Sequence, residues 1–194
     1  MMNNPFDAEG GMQFAVQAED DHSSWYAVRL FTLKTEAVAD YFREQGQEIF
    51  IPMEWVDYVD KENRRRRKLK PVVRNLVFVK KQDEGSALKK LVMDGQFKMV
   101  VMRKSKESRD FYEIPHTQMR EFQAMCNPEI TMKKYLSEDE AKLKVGMPVV
   151  VTHGPLKGMT GKLVRSSKKY YLLKEVPGMG VMLKVSRWCC KAMG

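Results

Sequence analysis

VVVTHGPLKGMTGKLV, residues 149–164, decides how the second half of the chain is read. Three valines run into Gly154-Pro155, a tight turn follows through Gly158, and Gly161 opens a second apolar stretch. Small residues at those points permit the backbone angles of a hairpin turn. Outward from it, MPVVVT (147–152), GKLVR (161–165), KYYLLK (169–174) and GVMLKV (180–185) are short, β-rich and divided by Gly, Pro and Ser. That is the pattern of consecutive strands. About 50 residues of closely spaced strands are too few for a two-sheet sandwich, yet enough to close into a small β-barrel that hides its edges.

The first half has a different rhythm. WYAVRLF (25–31) is aromatic and β-branched between polar flanks and reads as a strand. From Lys34 to Gln45, Ala37, Val38, Tyr41 and Phe42 share one helical stripe opposite Glu36, Asp40, Arg43 and Glu44, and Gly46 ends the helix. Glu48–Met53 and Glu54–Val59 read as strand with a Pro-marked irregularity, Asn75–Val79 as strand, Ser86–Asp94 as helix and Phe97–Met102 as strand. The order β-α-β-β-α-β predicts an α+β domain of the ferredoxin-like, split β-α-β kind, with an antiparallel sheet and helices packed on it. Pro115 suits the first turn of a further helix that buries Met119, Phe122 and Cys126. Residues 128–142 are polar and charged, a linker by composition. Residues 1–24 hold five acidic groups and no basic one, the composition of a disordered acidic tail. The domains expected are therefore 25–127 and 143–194, joined by 128–142.

Charge separates the halves as well. The 194 residues carry a formal charge of +9, but residues 1–143 balance 24 basic against 24 acidic groups, whereas 144–194 hold 10 basic groups and only Glu175. A basic excess of that kind points to nucleic acid or another polyanion. Cys126 is solitary, Cys189 and Cys190 are adjacent, and His22, His116 and His153 are scattered, so neither a disulfide framework nor a metal site is expected. No apolar run approaches a membrane span, and no basic, then greasy, leader opens the sequence. A cytoplasmic protein without membrane contact is the expectation. Motifs for a nucleophile elbow, a zinc protease or a phosphate loop are missing, and GMTGKL (158–163) has the wrong spacing for the last. No enzyme activity and no cofactor are expected.

KENRRRRKLKPVVR (61–74) packs eight basic residues against Glu62. It reads as an exposed, mobile loop between strands, with Arg64, Arg65, Arg66, Arg67 and Lys68 placed to contact phosphates. The run from Arg64 to Lys70 contains no aromatic residue, so positioning on a backbone is expected rather than base stacking.

The stretch 149–164 resembles the KOW motif of NusG-type transcription factors and some ribosomal proteins: a strand, the turn His153-Gly154-Pro155 with Lys157 and Gly158, and Gly161 opening the second strand. The first half resembles the NGN domain of the same family through WYAV (25–28), IFIP (49–52) and PVVRNLVFV (71–79). IPHTQMREF (114–122) resembles the start of the last helix in specialised paralogues of the UpxY type. The resemblance implies an NGN domain followed by an SH3-like KOW barrel. It also implies a transcription elongation or antitermination factor, operon-specific in the specialised form. The partners so implied are the clamp helices of RNA polymerase, the DNA or RNA backbone in the elongation complex, and a termination factor or ribosomal protein met through the barrel. The matching polymerase-facing positions are Arg29, Leu76 and Phe78. Arg74 and Leu76 depart from the usual Pro and Tyr of the motif. A ribosome-associated, RNA-binding KOW protein is the rival reading, since such barrels occur there too.

Overall fold

The computed structural model describes residues 22–82 and 85–194, so the expected tail at residues 1–21 lies outside the described residues. From Ser23 onward there are two compact units, Ser23–Met119 with Cys126–Thr131, and Arg120–Met125 with Met132–Gly194.

In the first unit the elements are β1 (Trp25–Leu30), α1 (Thr35–Glu44), β2 (Ile49–Phe50), β3 (Met53–Val59), β4 (Arg65–Pro71), β5 (Leu76–Lys80), α2 (Ser86–Asp94), β6 (Met99–Val101) and β7 (Glu113–Ile114). The main sheet runs β2-β5-β1-β6, with β7 beside the start of β1, and every pairing is antiparallel. Strand β5 thus lies between β1 and β2, the order that a split β-α-β unit produces. Helix α1 forms where the sequence has its 3.6-residue stripe: Val38 and Phe42 are buried and Tyr41 packs against the core, but Ala39 takes the buried place expected of Ala37, which is exposed, and Asp40 and Arg43 pair on the open side at 2.8 Å. Tyr26, Val28 and Leu30 of β1, Val77 and Val79 of β5, and Val101 of β6 build one core with Val38, Phe42 and Leu88. Each such apolar side chain contributes about 1.5–3 kcal/mol on burial. The alternate positions, Ala27, Leu76 and Phe78, are also buried, so this part of the sheet is covered on both faces.

Two expectations are corrected here. Residues 61–74 are a loop only at 61–64 and 72–74: Arg65–Pro71 is strand β4, paired antiparallel with β3 from Met53↔Pro71 to Val59↔Arg65. Backbone pairing is indifferent to charge when both faces of the ribbon meet water, and a strand with two solvated faces shows no hydrophobic alternation. The supposed linker is likewise structured.

Helix α3 (His116–Met125) begins after Pro115 and buries Met119 and Phe122, with Cys126 buried just beyond it, as its periodicity predicts. The second unit then adds β8 (Lys133–Ser137), α4 (Glu138–Lys142), β9 (Gly146–Val151), β10 (Thr160–Ser166), β11 (Lys169–Val176), β12 (Met179–Val185), a 3₁₀ turn at Arg187–Cys189 and β13 (Cys190–Ala192). Ser137 and Glu140 form a capping box, the Ser137 side chain accepting from the Glu140 N–H while Glu140 Oε2 accepts from the Ser137 N–H at 2.9 Å. That box starts α4 inside the stretch whose composition suggested a linker. The sheet order is β13-β9-β10-β11-β12-β8, all antiparallel, over a core that includes Leu172, Leu173, Met179 and Val181.

Candidate functional site

Three surfaces carry the residues that the sequence singles out. The first is the β5-β1-β6 face on which Leu76, Arg29 and Val100 lie side by side across the ladder. Leu76 is 2% and Phe78 0% exposed, so neither stands on an open face as expected; period-2 alternation places them together but is silent on which face is covered. Arg29 is exposed, and Val100 opposite it is 39% exposed. Just past β1, Phe31 is 60% exposed, held by its N–H donating to the Lys98 carbonyl at 2.9 Å, with Lys98 Nζ 5.6 Å from its ring. Phe31 and Val100 were not read from sequence. An apolar residue beside a strand pattern looks like core until the neighbouring strand is known.

The second surface is the β3–β4 ribbon. Its turn is organised by Asp60, whose Oδ1 accepts the N–H groups of Glu62 and Arg64, each at 2.9 Å, while Oδ2 accepts from Arg66 Nε at 3.0 Å. The Arg64 N–H first of all, and then the arginine side chains, hold the Asp60 carboxyl below the ordinary carboxylate range. What this contact adds to the turn is therefore present above the ordinary carboxylate pKa and lost as the pH falls through the lowered value. Asn63, at φ 59°, takes the left-handed position that Asn tolerates. The register then sorts the side chains. Trp55, Asp57 and Val59 share one face with Leu69, Arg67 and Arg65, and Glu54, Val56 and Tyr58 share the other with Lys70, Lys68 and Arg66. Arg67 lies over the Trp55 ring at 5.0 Å and Lys68 over Tyr58 at 4.6 Å. The five basic residues expected to touch phosphates are thus gathered at the turn and along β4, all exposed. The aromatic residues missing from 64–70 come from the facing strand, a signal visible only once the pairing is known.

The third surface is the β9–β10 turn. The Gly158 N–H donates to the Val151 carbonyl at 2.8 Å and the Lys157 N–H to that of Gly154 at 3.0 Å, and Gly158 sits at φ 89°, which a side chain would strain. A Cβ at Gly161 would stand 2.7 Å from the Leu173 carbonyl oxygen, so β10 and β11 approach closely there. His153, Pro155 and Lys157 are exposed at the tip, and the His153 ring lies 5.8 Å from Trp188. Beside it, Met147, Leu163, Tyr170 and Trp188 line an open groove with Lys169, Lys184 and Arg187. Glu175, the single acidic residue of 144–194, pairs with Lys162 at 2.6 Å.

Among the described residues no three His, Cys, Asp or Glu side chains gather as a metal site, and no helix is long and apolar enough to cross a membrane. A family model described as NusG, transcription termination factor nusG, matches residues 23–123, just over half of the chain. No curated protein matches it.

Proposed function

The chain belongs to the NusG family, and from that premise we propose that it is a specialised, operon-directed factor that rides on RNA polymerase and promotes processive elongation or antitermination. Members of the family are non-enzymatic transcription factors that bind RNA polymerase. The finer assignments follow the surfaces. The observation that carries the reading is the exposed trio of Arg29, Phe31 and Val100 on the matched domain, a cation beside two open apolar side chains. Such a patch suits the clamp helices of the polymerase, since interface energy concentrates in aromatic and Arg anchors. Leu76 and Phe78 share this face but are buried, so they pack within the domain instead of touching the partner. Arg64–Arg67 and Lys68 lie against the DNA or RNA backbone of the elongation complex.

The second unit acts as a KOW domain with an SH3-like barrel. Its groove pairs an apolar floor with three cations, which fits a protein partner that presents acidic and apolar side chains, a termination factor or a ribosomal protein. Arg74 and Leu76, where the family motif has Pro and Tyr, support the specialised form.

Arg29→Glu combined with Phe31→Ala is expected to weaken polymerase binding by about 2–4 kcal/mol, the scale of hot-spot losses, with the melting temperature unchanged because both side chains are open to solvent. Equal retention of wild-type and variant protein on immobilised polymerase would remove this face from the interface. The excess of basic residues in 144–194 favours the rival, a ribosome-associated RNA-binding protein. Co-purification of ribosomal particles without polymerase would select it.

A further inference from the structure

The β3–β4 ribbon has more chemistry than phosphate contact needs. Between Met53 and Pro71 it holds seven basic residues against four acidic ones. Asp60 and Glu62 draw Arg64 and Arg66 toward the turn, and Asp57 lies 3.7 Å from Arg67. Arg65 and Lys70 have no ion pair among the described residues, and they stand on opposite faces. Trp55 and Tyr58 also stand on opposite faces, about 10 Å apart along β3 at the rise of a strand. They are 37% and 38% exposed, and each has a cation from β4 over its ring. Trp55 is further oriented by its indole N–H, which donates to Glu129 Oε1 at 2.9 Å.

Trp55 and Tyr58 are part-exposed, and the cations beside them set the chemistry of a partner that would meet them. A ring with a cation above it and open surface elsewhere offers a stacking platform next to a phosphate contact. Base faces are available to such rings only where bases are unstacked, which a duplex does not allow. We infer that the β3–β4 ribbon is a single-strand clamp: unpaired bases stack on Trp55 and Tyr58, one on each face, while Arg65 and Lys70 hold the adjoining phosphates. This rests on the ribbon being the nucleic-acid surface proposed above and adds which form of nucleic acid it takes and through which side chains. Placing one ring on each face lets a strand wrap the ribbon edge instead of lying along one side.

The test measures binding of full-length protein to labelled oligo-deoxythymidine, oligo-uridine and a DNA duplex of the same length, by anisotropy across a salt titration. Trp55→Ala and Tyr58→Ala are each expected to weaken single-strand binding about 5- to 100-fold while the slope against log salt and the duplex affinity stay as in wild type. Trp55→Phe, which keeps a ring without the bond to Glu129, is expected to retain most of the affinity. Stronger binding of the deoxythymidine strand assigns the clamp to DNA, stronger binding of the uridine strand to RNA, and both outcomes support it. Folded Ala variants with wild-type single-strand affinity, or with an equal loss on the duplex, overturn the clamp. If Arg64–Arg67→Ser then still flattens the salt dependence, backbone contact stands without stacking; if it too changes nothing, the nucleic-acid surface falls as well.

Discussion

Lys174→Ala is expected to cost the second unit about 3–5 kcal/mol, because it strands a carboxylate at a largely buried site. Lys174 is 7% exposed on β11, and its ammonium meets Glu121 Oε2 and, at 3.0 Å, Thr160 Oγ1. Glu121 also accepts the Thr160 N–H at 3.0 Å and its hydroxyl at 2.9 Å. The cluster is satisfied only as a whole: two donors from Thr160 and one from Lys174 serve a single carboxylate whose side chain is 17% exposed. Burying that pair cost desolvation of both ions, so its net stabilisation is small even though its disruption is severe. The double variant Glu121→Leu, Lys174→Met removes both charges and is expected to recover most of the loss. Urea unfolding of the full-length protein, followed on the transition assigned to the second unit, reads both values. A single variant no worse than the double would show that the site is wet and the pair unimportant.

Phe78→Ala is expected to destabilise the first unit by about 3–5 kcal/mol, the range for deleting a buried aromatic ring. Phe78 is fully buried, lies opposite Ala27 on β1 and Phe50 on β2, and stacks obliquely on the Phe50 ring at 6.3 Å. Ala27 leaves a space that only a large neighbour fills, so truncation opens a cavity that the small residue opposite cannot close. Polymerase binding should fall with the folded fraction and in no other way. The contrast with Arg29→Glu, Phe31→Ala is direct, since that pair should spare the fold and lose the partner. A Phe78→Ala protein with wild-type melting behaviour and lost binding would return the ring to the interface.

The difference between these two variants marks where sequence reasoning reached its limit. The helical stripe of α1, the bounds of α2 at Ser86–Asp94, the burial of Met119 and Phe122, and the β9–β10 turn were all legible, because period and turn chemistry act locally. Alternation places Leu76 and Phe78 on one face, and the pairing with β1 adds Arg29 to it, but parity cannot tell an open face from a covered one. Strand β4 was illegible for the opposite reason: its charges are solvated on both faces, so RRRKLKP shows no apolar side alternating with a polar one. The stacking pair Trp55 and Tyr58 was hidden with it, since their cations lie ten or more residues away across a turn. The capping box Ser137-Glu140 is a local signal in the sequence that a reading by composition alone passes over.

Size-exclusion co-elution of the full-length protein with purified polymerase from its own host reads whether this NusG-family chain works on RNA polymerase through the Arg29 face. A stoichiometric complex is expected for wild type and is lost in the folded Arg29→Glu, Phe31→Ala variant. Wild-type protein that elutes free of polymerase, and instead sediments with ribosomal particles, would contradict it.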